Sequence, residues 1–98
     1  MITYRTREGV LLTKICDVYL LVADLHARNH CPYVTPINET GAFIWKLIEK
    51  GSCTDCLVSR LLEEYDLSEK DAITAVNSFL KQLIDAGYVM EEKESDAE

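Results

Sequence analysis

Residues 31–48 read CPYVTPINETGAFIWKLI, and within this stretch the chain changes from one periodicity to another. Cys31 to Ile37 is an extended run holding both prolines, Pro32 and Pro36. Proline has no N–H to give to a sheet ladder, so the run belongs at a sheet edge, with those two positions facing away from its paired neighbour. Asn38 then reads as a helix N-cap with Glu39 in the first turn. Phe43, Ile44, Trp45, Leu47 and Ile48 follow at helical spacing until Gly51 stops the helix. Strands therefore precede this point and helices follow it.

Toward the N-terminus, Val10 to Ile15 and Val18 to Ala23 are β-branched and leucine-rich runs separated only by Cys16-Asp17, the pattern of a hairpin with a tight turn. A polar loop through Asp24, His26, Arg28 and Asn29 links this hairpin to the third run. Met1 to Arg7 is polar, with no apolar stretch of signal-peptide length, and Val18 to Ala23 is far too short to span a membrane. A cytoplasmic location without membrane association is expected.

Toward the C-terminus, Ser52 with Asp55 three residues on resembles a capping box, and Leu57, Leu61 and Leu62 carry a second helix to about Tyr65. Ser68 opens a third and longest helix, with Glu69 and Asp71 in its first turn, where carboxylates suit the dipole, and Gly87 at its C-cap. Along it Ala72, Ile73, Ala75, Val76, Phe79, Leu80, Leu83, Ile84 and Ala86 fill an arc of roughly 180°, wider than a surface helix needs. Val76, Phe79 and Leu83 lie mid-arc and are expected in the core. Ile73, Leu80 and Ile84 form one edge row beside polar Asn77 and Lys81, while the opposite edge carries only Ala75 and Ala86. The bulky row either lines a groove or covers a neighbouring strand.

The expected fold is therefore α+β: a winged helix-turn-helix in which a three-stranded antiparallel sheet is followed by three helices. With 98 residues, 48% apolar and 28% charged, residues 1–90 make one domain with one core. A core of that size is modest, and few apolar groups should remain on the surface. The net charge is −7, of which the last eight residues contribute −4 through five acids and Lys93, and residues 91–98 are expected to form a solvated, disordered tail. The remaining body is mildly acidic and lacks the positive field that supplies most affinity for nucleic acid. A winged-helix regulator that reads DNA with its third helix is the alternative reading. It is disfavoured by the face of that helix, where Glu69, Asp71 and Asp85 outnumber Lys70 and Lys81.

Little in the sequence suggests catalysis. There is no nucleophile elbow, phosphate loop, HExxH or paired-carboxylate pattern, and the two histidines, His26 and His30, share one loop. The four cysteines, Cys16, Cys31, Cys53 and Cys56, without an export signal, are expected to be reduced thiols. Cys53-x-x-Cys56 at a helix start offers lowered thiol pKa values or two metal ligands, but a structural role is the simpler reading, and no metal or cofactor is expected. Trp45, in step with Ile44 and Ile48, reads as a core anchor.

Four segments resemble the PqqD family, also described as recognition elements for ribosomally made, post-translationally modified peptides. They are Ile37 to Trp45 (INETGAFIW); Leu47 to Gly51 with the helix ending Leu61 to Leu67 (LLEEYDL); Phe79 to Leu83 (FLKQL); and Ala86 to Val89 (AGYV). Together they run through most of Val10 to Val89. The chain departs from the family pattern in the loop Asp24 to His30 and at Ile37, where leucine is commoner. The resemblance implies a non-catalytic chaperone that captures the leader of a precursor peptide and presents it to a modification enzyme, commonly a radical SAM enzyme.

Strand addition fits that role, because main-chain bonds give affinity and side-chain pockets give specificity. The expected peptide-binding residues are Cys31, Tyr33, Val34, Thr35 and Ile37 on the edge, with Ile73, Val76, Asn77, Leu80, Lys81 and Ile84 on the helix. The domain is expected to be a monomer or weak homodimer. The sequence leaves the register open: Tyr33 and Thr35 donate outward only if Val34 pairs inward, which would put both prolines on the inner side unless a bulge changes the parity.

Overall fold

A computed structural model describes residues 2–93. Eight main elements follow in the order β1 (Ile2–Thr6), β2 (Val10–Ile15), β3 (Val18–Ala23), β4 (Val34–Ile37), α1 (Glu39–Ile48), α2 (Thr54–Glu64), α3 (Glu69–Ala86) and β5 (Val89–Lys93), with a single 3₁₀ turn at Ala27–Asn29. The expected α+β winged helix-turn-helix with its three-stranded antiparallel sheet, order β2-β3-β4, is present. Cys16 and Asp17 both have positive φ, 49° and 66°, as the two-residue mirror-image turn of a hairpin requires.

The first addition to the expected fold is a second sheet. β1 pairs antiparallel with β5 from Ile2 opposite Lys93 to Thr6 opposite Val89. The polar N-terminal segment is therefore a strand, and the expected tail boundary at Glu91 is corrected, because Glu91 to Lys93 lie in β5. Arg5 meets Glu92 across this sheet at 2.7 Å. The sequence conceals the pairing because both strands are short and largely polar and lie at opposite ends of the described residues, beyond the reach of any local pattern. Residues 94–98, the remainder of the expected tail, lie outside the described residues.

The helix boundaries follow their caps. The Asn38 side chain accepts from the Gly41 N–H at 2.7 Å, and the Ser68 hydroxyl accepts from the Asp71 N–H. α2 corrects expectation: its N-cap is Cys53 and not Ser52, and Cys53 Sγ accepts from the Cys56 N–H. Ser52 is held instead by β1, since Tyr4 and Ser52 exchange backbone hydrogen bonds. At the end of α3, Tyr88 N–H donates to Leu83 C=O and Gly87 N–H to Ile84 C=O, the paired bonds of a Schellman close. Gly87 has φ +93°, and a Cβ there would sit 2.1 Å from the His30 carbonyl oxygen, so two constraints fix the glycine.

Val10, Leu21 and Ala23 on the inner sheet face join Ile44, Trp45, Ile48, Leu57, Leu61, Ala72, Val76, Leu80, Leu83, Tyr88 and Val89 in one core. Trp45 is fully buried and anchors α1 as expected, with its indole N–H donating to Glu49. On α3 the expected core residues Val76 and Leu83 are buried, and Phe79 is half-buried. The sheet's outer face is uncovered, so Leu11, Ile15, Val18 and Val34 are exposed, Leu11 to 69%. This corrects the expectation of few surface apolar groups: helices layer on one side of the sheet only, and the alternating strands must turn half their side chains outward. Among the described residues no helix is long and apolar enough to cross a membrane.

Candidate functional site: the β4 edge and the α1–α3 cleft

β4 is the edge of its sheet, and its register is decided by one bond. Ala23 N–H donates to Tyr33 C=O at 2.8 Å, which makes Ala23 and Tyr33 a hydrogen-bonded pair. By alternation Thr35 opposite Leu21 and Ile37 opposite Tyr19 also pair inward, while Val34 and Pro36 present their backbone outward. The prolines thus sacrifice no inner ladder bond, and the possibility that Tyr33 and Thr35 donate outward is ruled out. The outer edge offers one donor, Val34 N–H, and two acceptors, the carbonyls of Val34 and Pro36.

The strand is shorter than the run Cys31 to Ile37 suggested. Cys31 follows the 3₁₀ turn, is buried, and donates its S–H to Ala27 C=O. Burial pushes its thiol pKa up. It therefore belongs to the core and not to the edge, for the reason that Cys31 N–H closes the Ala27 turn before the chain extends. Tyr33 keeps its side chain at the surface, where the Arg28 guanidinium lies 3.4 Å from the ring centroid. Arg28 also donates to Ala23 C=O, so one side chain ties the loop to the last inner pair of the ladder.

Tyr88 braces the entrance to β4 from beneath. Its hydroxyl donates to Pro32 C=O at 2.7 Å and shares a 2.7 Å hydrogen bond with Thr35 Oγ1. The ring is fully buried, and burial raises the phenol pKa above its ordinary value. Thr35 is consequently directed at Tyr88, beneath the sheet, and Ile37 packs against the core.

On α3 the structure separates residues that the helical wheel grouped. Val76 and Leu80 are closed inside the core, 0% and 3% exposed, so as the protein stands they line no open groove. Ile73 lies in a hollow with Thr54, Asp55, Val58 and Leu62, so its edge is turned to α2. Ile84 is half-buried, and Asn77 and Lys81 are exposed.

The cleft next to β4 lies on the other edge of α3. Asn38 and Thr40, directly after β4, with Gly41 and Ile44 of α1 and Ala75, Ser78, Phe79 and Gln82 of α3, line a cavity of about 240 Å³. Gly41 and Ala75 leave the room, Phe79 and Ile44 make an apolar floor, and Asn38, Thr40, Ser78 and Gln82 supply a polar rim. A Cβ on Gly41 would lie 2.6 Å from Phe79 Cε1, so the glycine also sets how closely α1 approaches α3. These residues were missed because a helical wheel shows two edges without saying which one the sheet will meet. The small side chains of Ala75 and Ala86 were the available signal, since small residues mark the side where space remains.

The other chemistry is sparse. Among the described residues no group of three or more His, Cys, Asp or Glu is placed to hold a metal ion. The exposed face of α3 carries Glu69, Asp71 and Asp85 against Lys70 and Lys81, as the sequence indicates. That balance is unfavourable to a phosphate backbone.

Comparison with known proteins gives three findings. Residues 33–89 match the family described as "Coenzyme PQQ synthesis protein D (PqqD)". Among solved structures, the chain resembles one described as "TbiB1 in Complex with the TbiA(beta) Leader Peptide" with a TM-score of 0.70 and 20% identity, covering 94% of this chain and 99% of that one. It also resembles "Lasso peptide synthetase B1 complexed with the leader peptide", with a TM-score of 0.71 and 17% identity over 89% and 96% of the two chains. No curated protein matches.

Proposed function

Because this chain belongs to the PqqD family, we propose that it is a peptide-binding recognition element that captures the leader of a ribosomally made precursor peptide and presents it to a modification enzyme. One observation carries the reading: the outer edge of β4, with Val34 N–H and the Val34 and Pro36 carbonyls facing outward, runs directly into the cleft between α1 and α3. A leader added antiparallel to β4 exchanges two hydrogen bonds with Val34 and donates a third to Pro36 C=O. Its alternate side chains then reach Tyr33 and Arg28 at one end and the Asn38–Gln82 cleft at the other. The two proteins of similar fold are both described in complex with a leader peptide, which supports the same ligand class here.

The protein's part is binding and positioning, with no catalytic step of its own. The partner is proposed to be a separate enzyme, of the radical SAM class that the family resemblance implies, working in the cytoplasm. The test is an amide NMR titration of the full chain with the leader half of a short peptide encoded beside its gene. Saturable shifts concentrated at Tyr33 to Gly41 and Ala75 to Gln82 are expected. Saturable binding that leaves Val34 and the cleft unperturbed would move the site elsewhere, and no binding by any neighbouring peptide would overturn the reading.

A further inference from the structure

The start of α2 carries chemistry that peptide capture does not use. Cys53 and Cys56 place their sulfur atoms 3.1 Å apart, with the Cys53 S–H donating to Cys56 Sγ; once Cys53 is deprotonated, the Cys56 S–H donates to it instead. Cys53 is half-exposed and Cys56 exposed, so both can be reached from solvent. Cys53 is also the helix N-cap, a position where an oxygen acceptor does better and where Ser52 stands only one residue away. The arrangement is held from behind: the reciprocal Tyr4–Ser52 backbone bonds fix the residue before Cys53, and the first turn of α2 fixes Cys56. A geometric constraint of this kind favours intramolecular closure over independent reaction at each sulfur.

We propose that Cys53 and Cys56 form a surface dithiol that exchanges with low-molecular-weight disulfides and closes reversibly into an intramolecular disulfide. Cys53 is the attacking sulfur. The Cys56 S–H, then the N–H groups of Cys56 and Asp55, stabilise its thiolate and lower its pKa, whereas the same contact raises that of Cys56 and keeps it protonated. The Cys53 thiolate, having given its proton to solvent, attacks one sulfur of the external disulfide. A mixed disulfide forms, and one external thiolate leaves with the electron pair and is protonated. Cys56 then loses its proton and attacks Cys53 Sγ, and the second external thiolate departs and is protonated. Two protein thiols are oxidised and one external disulfide is reduced to two thiols. Among the described residues no third ligand joins the pair.

Neither remaining cysteine is arranged this way. Cys31 is buried, and Cys16 is exposed at the hairpin turn, which makes it the internal control. The test uses the full native-sequence chain, equilibrated in mixtures of oxidised and reduced glutathione, quenched in acid and mapped by mass spectrometry. The expected product has lost two hydrogens, carries a cross-link within residues 53–56, and returns to the dithiol in excess reduced glutathione, while Cys16 stays free or carries a glutathione adduct. Brief alkylation at neutral pH should label Cys53 several-fold faster than Cys16, and Cys56→Ala, which removes the side-chain donor and leaves the backbone N–H groups, should reduce that advantage. Separate glutathione adducts on Cys53 and Cys56 without loss of hydrogens, or alkylation of Cys53 no faster than that of Cys16, would overturn the proposal whether or not the protein binds a leader.

Discussion

Tyr88 does the most at the scale of a single residue. One buried hydroxyl engages Pro32 C=O and Thr35 Oγ1, on either side of the residues that open β4. Tyr88→Phe keeps the ring and leaves both partners without it, so a loss of about 2 kcal/mol of unfolding free energy is expected, measured by urea denaturation with an unchanged slope. Faster amide exchange at Val34 should accompany it, because the support is local. The pH dependence has a definite sign. Folding raises the Tyr88 pKa above the ordinary 10.0, so above that pH the unfolded chain binds fewer protons than the folded one and stability falls with rising pH. This contribution is fully present below pH 10.0 and is lost as pH rises through the folded pKa. In Tyr88→Phe the alkaline decline should be shallower. Gly87 shows what is legible at this scale: its place as a helix stop follows from the sequence, whereas the His30 carbonyl in the space of its missing Cβ does not, because those residues are far apart in the chain.

At the scale of elements, the predictions concern β4 and the Ala75–Gln82 face of α3. Val34→Pro removes the only outward N–H on the edge, and leader affinity should fall by about 1 kcal/mol or more, roughly fivefold or beyond, by calorimetric titration. Pro36→Ala does the reverse: it adds an outward donor, and affinity should rise by up to about the same factor. A fall with Pro36→Ala would mean that rigidity of the edge matters more than its donors. On α3, Ala75→Phe should fill the cleft beneath Asn38 and Gln82 and abolish measurable leader binding while leaving the circular dichroism spectrum unchanged. Lys81→Ala, on the exposed face, should bind as the unaltered protein does. Equal losses from both would return the site to the Asn77–Lys81 side. The apolar arc of α3 is plain from spacing alone. Which edge faces β4 is set by how α1 and α2 pack on the helix, and no periodicity contains that.

At the scale of the molecule, β1 and β5 bring the two ends of the described chain together around the body. Tyr4 packs against the core, β1 pairs with β5 on one side and bridges Ser52 on the other, and Arg7 donates to Gly87 C=O at 2.5 Å. Deleting residues 1–6 should therefore cost about 3 kcal/mol, the order expected from exposing Tyr4 and the apolar side chains under β5, read as a lower urea midpoint. An unchanged midpoint would make the small sheet an appendage. A similar-fold chain used as a DNA reader would need a basic third helix, and the acidic balance on α3 disfavours that use of this one.

By itself the sequence determined the change from strands to helices at Asn38, the Cys16–Asp17 hairpin, the caps at Asn38, Ser68 and Gly87, the edge character of the proline-bearing strand and the family. All of these are written in short-range features: spacing, a missing N–H, a capping side chain, a local motif. The tertiary structure alone decided that Val34 and Pro36 face outward, that Val76 and Leu80 close into the core, that the cleft lies by Ala75 and Gln82, and that the polar ends of the chain pair as β1 and β5. Each of these depends on contacts between segments remote in sequence. Local pattern fixes what an element is, while the packing of one element on another fixes which of its faces remains for a ligand.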